Sequence, residues 1–291
     1  MPLYRKQIII EVPSAIPDLI KTIADAGDYS LMVDSTKTPY RITKANLLAG
    51  LSSGSSNGGS GSSSSEVDNL FSDVLLLLSN DGTALLDKSS FGNSFFNAGV
   101  TLNPTSKFGA NSAYFAGGAN VATIPNRTEF NLGNGDFTVE AWVYPTVLDG
   151  NPRHIISKVG NLSDNNNRSY ALSVFTNKIR WYWTVDGANN YGLIDFPCTL
   201  NTNTWYHIAI SRSENTLYAF LGGISLPSVS HTATYFNSTA NITIGSFGGY
   251  AADENLQYSF IVNIEKNGLR LTRKCRYTAS FTLPNKAFLT Q

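Results

Sequence analysis

The sequence predicts an all-β fold: two antiparallel sheets packed as a jelly-roll sandwich, preceded by a small α+β anchoring arm. Three observations carry this. The stretch Asp136-Phe-Thr-Val-Glu-Ala-Trp-Val-Tyr-Pro145 alternates cleanly, with Phe137, Val139, Ala141 and Val143 on one face of an extended chain and Thr138, Glu140, Trp142 and Tyr144 on the other. From Glu66 onward, short apolar runs recur between clusters of Asn, Gly, Asp and Pro, the rhythm of a sandwich or barrel. Composition agrees: aromatic residues make up 12% of the chain and hydrophobic residues 42%, and aromatic and β-branched side chains favour strands.

Taken in order, residues 1–51 read as a separate arm for docking or oligomerisation. Residues 7–12 form a strand stopped by Pro13 and Pro17. Asp18 caps one or two helical turns over 18–24, Gly27-Asp28 turns the chain, and 29–33 and 40–42 are strands around a loop over 34–39. A short helix over 44–49 is capped by Thr43 and closed by Gly50. So few apolar residues cannot bury enough surface to fold alone, since chains below about 40–60 residues need a staple or a partner. With no metal or disulfide pattern in the arm, the expected staple is another chain.

Residues 52–65 contain only Ser, Gly and Asn and form a flexible tether. Its r.m.s. span is roughly 20 Å, with an extended limit near about 45–50 Å. Its joins read as parts of one chain rather than as an engineered insert. Residues 66–291 then form the sandwich. Strands are expected over 74–78, 94–102, 112–115, 121–124, 137–144, 154–158, 170–175, 178–185, 205–211, 216–221, 240–244 and 257–264. Thr176-Asn177 and Gly222-Gly223 read as hairpin turns.

Charge excludes several functions. Only 14% of residues are charged, against roughly 25% in typical domains, and Lys+Arg and Asp+Glu both number 21. Zero net charge and a pI near 6.8 argue against nucleic acid as a partner. The surface is filled by Ser, Thr, Asn and Gly, as in extracellular or virion-surface β proteins. The start, Met1-Pro-Leu-Tyr-Arg-Lys, has neither a long apolar run nor a small-residue cleavage site, so no signal peptide is expected. The longest apolar run, 74–78, is too short to span a bilayer. Cys198 and Cys275 form one disulfide or stay as two separate thiols; a sandwich of this size does not need the bond.

The same composition offers little chemistry. A retaining glycosidase needs two carboxyl groups about 5–5.5 Å apart. Glu140 is the single acid on its strand, and Asp253-Glu254 point opposite ways when extended. His154, His207 and His231 lie far apart without ligand spacing, and His207 reads as a strand residue bonded to its neighbours. No enzyme activity is expected. Binding is the better prospect. In Arg180-Trp-Tyr-Trp-Thr-Val-Asp-Gly187, Trp181 and Trp183 share one face and Arg180, Tyr182 and Thr184 the other, so the outward side presents either a Trp pair or an Arg/Tyr/Thr set. Flat aromatic faces stack on sugar rings, and adjacent amides and carboxylates bond hydroxyls. Tyr182, Asp186, Asn189, Asn190 and Tyr191 are the candidate glycan site, the last four in loop positions together with Asp195. Tyr182→Ala and Tyr191→Ala should weaken binding without changing the melting temperature. The polar loops over 149–153 and 161–168 are further places for specificity. No cofactor is expected; calcium through Asp164, Asp186 or Asp253 lacks a run of ligands. Arg270, Arg273, Lys274 and Arg276 read as a solvated basic edge.

Leu75-Leu-Leu-Leu78, followed by Asn80-Asp-Gly-Thr83 and Asp87-Lys-Ser-Ser90, resembles the entry of a laminin-G-like (concanavalin A-like lectin/glucanase) domain. Ser106-Lys-Phe-Gly109, Ser112-Ala-Tyr-Phe115, the Gly135–Tyr144 stretch, Asn203-Thr-Trp-Tyr-His-Ile-Ala209 and Asn241-Ile-Thr-Ile-Gly245 continue that resemblance in the family's order. Leu269-Arg-Leu-Thr-Arg-Lys-Cys-Arg-Tyr-Thr278 and Phe281-Thr-Leu-Pro284 resemble its closing strand and tail. The family often carries acidic residues before its closing Leu-Arg; here Glu265-Lys-Asn-Gly268 departs from that pattern and offers no acidic or calcium-linked site. Set against this pattern, Trp142 reads as core rather than as a ligand platform. In the arm, Asp28-Tyr-Ser-Leu-Met-Val-Asp34 and Tyr40-Arg-Ile-Thr-Lys-Ala-Asn-Leu-Leu-Ala49 resemble segments of tail-fibre and virion proteins of tailed phages, particularly phages of cyanobacteria. These resemblances imply a virion structural protein, a tail fibre or tail-tip component whose lectin-like domain adsorbs to host surface glycan. Its arm would join other virion proteins, most simply as a homotrimer. A capsid decoration or head-fibre protein and a bacterial surface adhesin are the alternatives.

Overall fold

A computed structural model describes residues 29–32, 39–42, 67–80, 84–118, 120–160, 166–188, 190–248 and 261–290. The chain divides into two units, Met1–Ser64 and Ser65–Gln291. In the first, β1 (Tyr29–Met32) and β2 (Pro39–Ile42) pair antiparallel, with Tyr29 opposite Ile42 and Met32 opposite Pro39. The strand over 7–12, the helical turns over 18–24 and 44–49, the turn at Gly27-Asp28 and the tether lie outside the described residues.

The second unit is a two-sheet antiparallel sandwich with no α-helix among the described residues. Its first strands are β3 (Val74–Asn80), β4 (Leu85–Asp87), β5 (Phe96–Ala98), β6 (Thr101–Asn103), β7 (Ser112–Ala116) and β8 (Val121–Ile124). The middle ones are β9 (Phe137–Pro145), β10 (Arg153–Val159), β11 (Arg168–Val174), β12 (Lys178–Thr184) and β13 (Tyr191–Pro197). The last are β14 (Tyr206–Ser213), β15 (Thr216–Leu221), β16 (Ile224–Ser225), β17 (Val229–Ser230), β18 (Ile242–Ile244) and β19 (Ile261–Thr272). The smaller sheet runs β13-β12-β11-β10-β18-β8-β5. The larger runs β16-β15-β14-β9-β19-β3-β4, with β7 beside the first part of β19, β6 beside β7 and β17 beside β15.

Alternation explains how the sheets meet. Phe137, Val139, Ala141 and Val143 of β9 enter the shared core with Ile208 and Ile210 of β14 and Leu269 and Leu271 of β19. Facing them are Ile156, Tyr170, Leu172, Val174, Ile179 and Trp181 of the smaller sheet. Trp181 lies between the rings of Phe137 (5.2 Å) and Tyr170 (5.6 Å), and its indole N–H donates to the Tyr235 hydroxyl at 2.8 Å. The Trp181/Trp183 face is therefore the core face, and Arg180 and Tyr182 point outward. Gly222 and Gly223, with φ of 62° and 77°, close the β15–β16 hairpin in the left-handed conformation that such two-residue turns demand.

The outer face of the larger sheet is also covered. Trp142 packs with Val74, Leu77 and Phe288 of the C-terminal tail, edge-on to Phe108 at 5.2 Å. Trp142 is thus buried, as the family pattern implied.

The strand boundaries needed four corrections. The run over 94–102 is two strands, β5 and β6, broken by Gly99 at φ +76°. Residues 85–87, read as part of a domain entry, form β4 beside β3. The last strand extends to Thr272, well past residue 264, and its register against β9 shifts between Ile264 and Leu269. Asn267 (φ +49°) lies within that shift, so the Glu265–Gly268 departure is a bulge that lets the strand serve both β7 and β3. Finally, residues 191–197, read as loop, are the edge strand β13.

Candidate functional site

The candidate glycan residues converge on the β12–β13 hairpin. In the ladder Thr184 lies opposite Tyr191, Tyr182 opposite Leu193 and Arg180 opposite Asp195. Gly192, Ile194 and Phe196 turn inward, leaving Tyr191, Leu193 and Asp195 on the outer face beside Tyr182 and Arg180. Gly192 is required by the inward partner: a Cβ there would lie 2.3 Å from Cζ2 of Trp183.

Each residue has a different role in this face. Tyr191 is 52% exposed and stacks on Tyr182, ring centroids 5.6 Å apart. Tyr182 itself is buried against Val159 and Ala171, with Phe247 edge-on at 5.0 Å. Burial raises the pKa of its hydroxyl, opposed by the Arg168 guanidinium. Asp186 organises the turn. Its carboxylate accepts from the Ala188 amide at 2.8 Å, the Thr184 hydroxyl at 3.0 Å and the Asn190 amide at 3.2 Å. The Ala188 amide bond, against a smaller opposing effect of desolvation, helps hold its pKa below the usual range. Asn190 is exposed at the foot of β13, and Asn189 lies outside the described residues. The geometry therefore joins Tyr182, Asp186, Asn190 and Tyr191, but Tyr191 comes from a strand and Asp186 already has a structural task. Since Tyr182 is a packed residue, its replacement by alanine opens a cavity. The expectation that Tyr182→Ala would spare stability is corrected accordingly, and the stability-neutral test passes to Tyr191.

Sequence reasoning missed Leu193 and Val185, 47% and 37% exposed on the same hairpin. The signal was the period-2 pattern Tyr191, Leu193, Asp195, hidden by reading this stretch as loop. At the far end of the face, Asp195 accepts from both cations of β12: Arg180 Nε and Nη2 (2.8 Å for Nη2) and Lys178 Nζ at 2.8 Å. The Arg180 hydrogen bonds, aided by Lys178, hold the Asp195 pKa down to about 2. His154, its Nδ1 2.7 Å from the Ser173 hydroxyl, sits on β10, two strands in from β12; burial, with Arg153 and Arg180 nearby, lowers its pKa to about 3 and keeps it neutral.

The other candidates separate. Asp149 of the 149–153 loop pairs with Arg153 at 2.5 Å, while residues 161–165 lie outside the described residues. Asp164 and Asp253 also lie outside them, and among the described residues no group of three or more His, Cys, Asp or Glu is placed to hold a metal. Cys198 and Cys275 are free thiols, and burial pushes Cys198 up to about 11. No described helix is long and apolar enough to cross a membrane.

The basic edge is a second correction. Arg270 is buried, its Nε 2.8 Å from Glu140 Oε1 and its Nη1 2.7 Å from Asp68, while Arg276 grips Asp68 with two bonds of 2.9 Å. His207 Nε2 lies 3.1 Å from Glu140 Oε2, and the Tyr277 hydroxyl donates to the same oxygen at 2.9 Å. Arg273 and Lys274 remain exposed. The reason is that Arg270 lies directly opposite Glu140 in the β9–β19 ladder, and the segment after β19 folds back over the outer face of the larger sheet and brings Arg276 and Tyr277 to the same acid. A cavity of about 440 Å³ lies beside this network, walled by Leu70, Phe281, Pro284 and Phe288.

Residues 116–256 match the family profile of the concanavalin A-like lectin/glucanases superfamily, of laminin-G type. No curated protein sequence matches the chain. Among solved structures, the chain is similar to the binding domain of Paraclostridial Mosquitocidal Protein 1, with 15% identity over 72% of this chain and 51% of that one and a TM-score of 0.54. It is similar to the receptor binding domain of botulinum neurotoxin type G, with 19% identity, 71% and 49% coverage and a TM-score of 0.52. It also resembles the ligand binding domain of botulinum neurotoxin serotype D in complex with N-acetylneuraminic acid, with 15% identity, 74% and 49% coverage and a TM-score of 0.51. The chain spans about half the length of these structures. At such identities the likeness is one of fold.

Proposed function

We propose that this laminin-G-like sandwich is the host-contacting part of a phage virion protein, a tail fibre or tail-tip component, and adsorbs to surface glycan through the outer face of β12 and β13. One observation carries the reading. Tyr191 and Leu193, two of the large apolar side chains that stay exposed, follow each other on the outer face of β13, with Asn190 and Asp186 in the turn beside them. An exposed aromatic with aliphatic neighbours and polar groups at its rim suits the apolar face and hydroxyl edge of a pyranose. The fold agrees with a binding role, since the similar toxin domains are themselves binding domains. The reading includes no hydrolysis: Glu140, the acid of β9, is fully buried and tied to Arg270 and His207.

Tyr191→Ala is the direct test. Truncating an aromatic contact at the centre of a binding face is expected to lower affinity for host cells about tenfold or more. Because the ring is half exposed, stability should move by only about 0.5 kcal/mol. Equal adsorption by the variant and the parent in a cell-binding assay would remove this site.

Residues 1–51 carry the chain to its neighbours in this reading, and several arms side by side supply the core that one arm lacks. A native mass measurement of the intact protein is expected to find three copies; a monomer would overturn self-assembly.

A further inference from the structure

Lys178 and Arg180 both lie on the outer face of β12, in line with Tyr182. Both cations stack on the ring of Phe175 at 4.9 Å, which fixes their heads over the sheet. Among the described residues they share a single carboxylate, Asp195. Arg180 uses Nε and Nη2 on that group and Lys178 one N–H, so Nη1 of the fork and two ammonium hydrogens take no part in this pairing, and both side chains are partly exposed. The next ionisable group inward, His154, is neutral and adds no charge. Arg168 faces the Tyr182 hydroxyl and Asp186 lies at the turn, so those two offset each other. The face therefore has an aromatic and aliphatic end at Tyr191 and Leu193 and a net positive end at Arg180 and Lys178. Along the strands Arg180 lies two residues from the level of Leu193 and four from that of Tyr191, about 7–13 Å at roughly 3.3 Å per residue. That separation is the length of one to two sugar units.

We propose that the ligand of this face is an acidic saccharide, one ring packed on Tyr191 and Leu193 and an anionic group held by Arg180 and Lys178. The assignment rests on the glycan-binding reading above and adds to it the charge of the ligand. Asp195 then acts as a positioning residue: it holds the two cations parallel and takes half their charge, which sets affinity for the anion at a moderate level.

Polygalacturonate and its fully methyl-esterified form test the charge alone, because the polymer is otherwise the same. With the full chain immobilised, binding to polygalacturonate is expected to exceed binding to the ester about tenfold, the worth of a charge-assisted contact. The preference should shrink as NaCl rises from about 50 to 500 mM, since these heads are partly exposed and salt screens them. Arg180→Gln should abolish the preference. Asp195→Asn, which removes no contact from the core, should strengthen polygalacturonate binding, and thermal melts of both variants report on folding. Sulfated dextran in a parallel arm distinguishes a carboxylate from a sulfate source of the charge. Equal, salt-independent binding of both polymers, still weakened by Tyr191→Ala, overturns the acidic ligand and leaves the glycan face standing. Binding to neither polymer overturns the proposal, and binding indifferent to Tyr191→Ala removes the face itself.

Discussion

Arg270→Ala is expected to destabilise the sandwich by about 3–5 kcal/mol, the cost of leaving a buried charge without its partner. Glu140 is fully buried and reaches Arg270 through Nε at 2.8 Å and Nη2 at 2.7 Å. The same guanidinium holds Asp68 and lies 4.2 Å over the ring of Phe288. Its loss therefore unseats the tail from the sheet as well as stranding the carboxylate. For a domain of this size the midpoint should fall by roughly 6–20 °C. A drop within about 1 kcal/mol in urea would show that the tail and Arg276 carry the charge without it. The pH dependence gives an independent check. Burial alone would raise the Glu140 pKa; Arg270, the His207 hydrogen bond and Arg276 outweigh it and hold it down at about 2. A carboxyl depressed on folding contributes stability above its ordinary pKa of about 4.5, and that contribution is lost as pH falls from there toward 2. The parent should lose stability across that window. In Arg270→Ala the slope should flatten, because the main lowering influence has gone.

Trp181→Ala is the second large effect, expected at about 3–5 kcal/mol. The indole is fully buried, flanked by Phe137 and Tyr170, and its N–H satisfies the Tyr235 hydroxyl. Truncation leaves a cavity at the contact between sheets and a buried hydroxyl without its donor, a further cost of about 1–3 kcal/mol where no water enters. Trp181→Phe should recover much of the packing but not the hydrogen bond. If Trp181→Ala instead melted like the parent and failed to bind glycan, the assignment of core and ligand faces on β12 would be inverted.

Much of the sandwich was legible because its signal is local. The alternation of β9 assigns Phe137, Val139, Ala141 and Val143 to one face whatever lies beyond it, since successive side chains of a strand must point opposite ways. The hairpin turns at Thr176-Asn177 and Gly222-Gly223, and the ordered motifs from Leu75 to Phe281, are equally short-range. The candidate site was half legible. Tyr182 and Tyr191 were read together and their rings do stack, but β13 was taken for loop because Gly192, Asp195 and Pro197 are poor strand residues. At a sheet edge they are tolerated, and Gly192 is demanded by the indole of Trp183.

By itself, then, the sequence determined the fold class, which residues share a face on each long strand and the stretch, 180–195, on which the candidate ligand residues sit. Tertiary structure alone decided which face of β12 is core, which of Tyr182 and Tyr191 is exposed, and that Arg270 is buried against an acid 130 positions away. Periodicity says which residues share a face but not what covers it. Cover is a long-range property: Trp142 became core and Arg270 became buried only because the tail folds back over them. Exposure at Tyr191, which no other segment covers among the described residues, is the same fact seen from the other side of the sandwich.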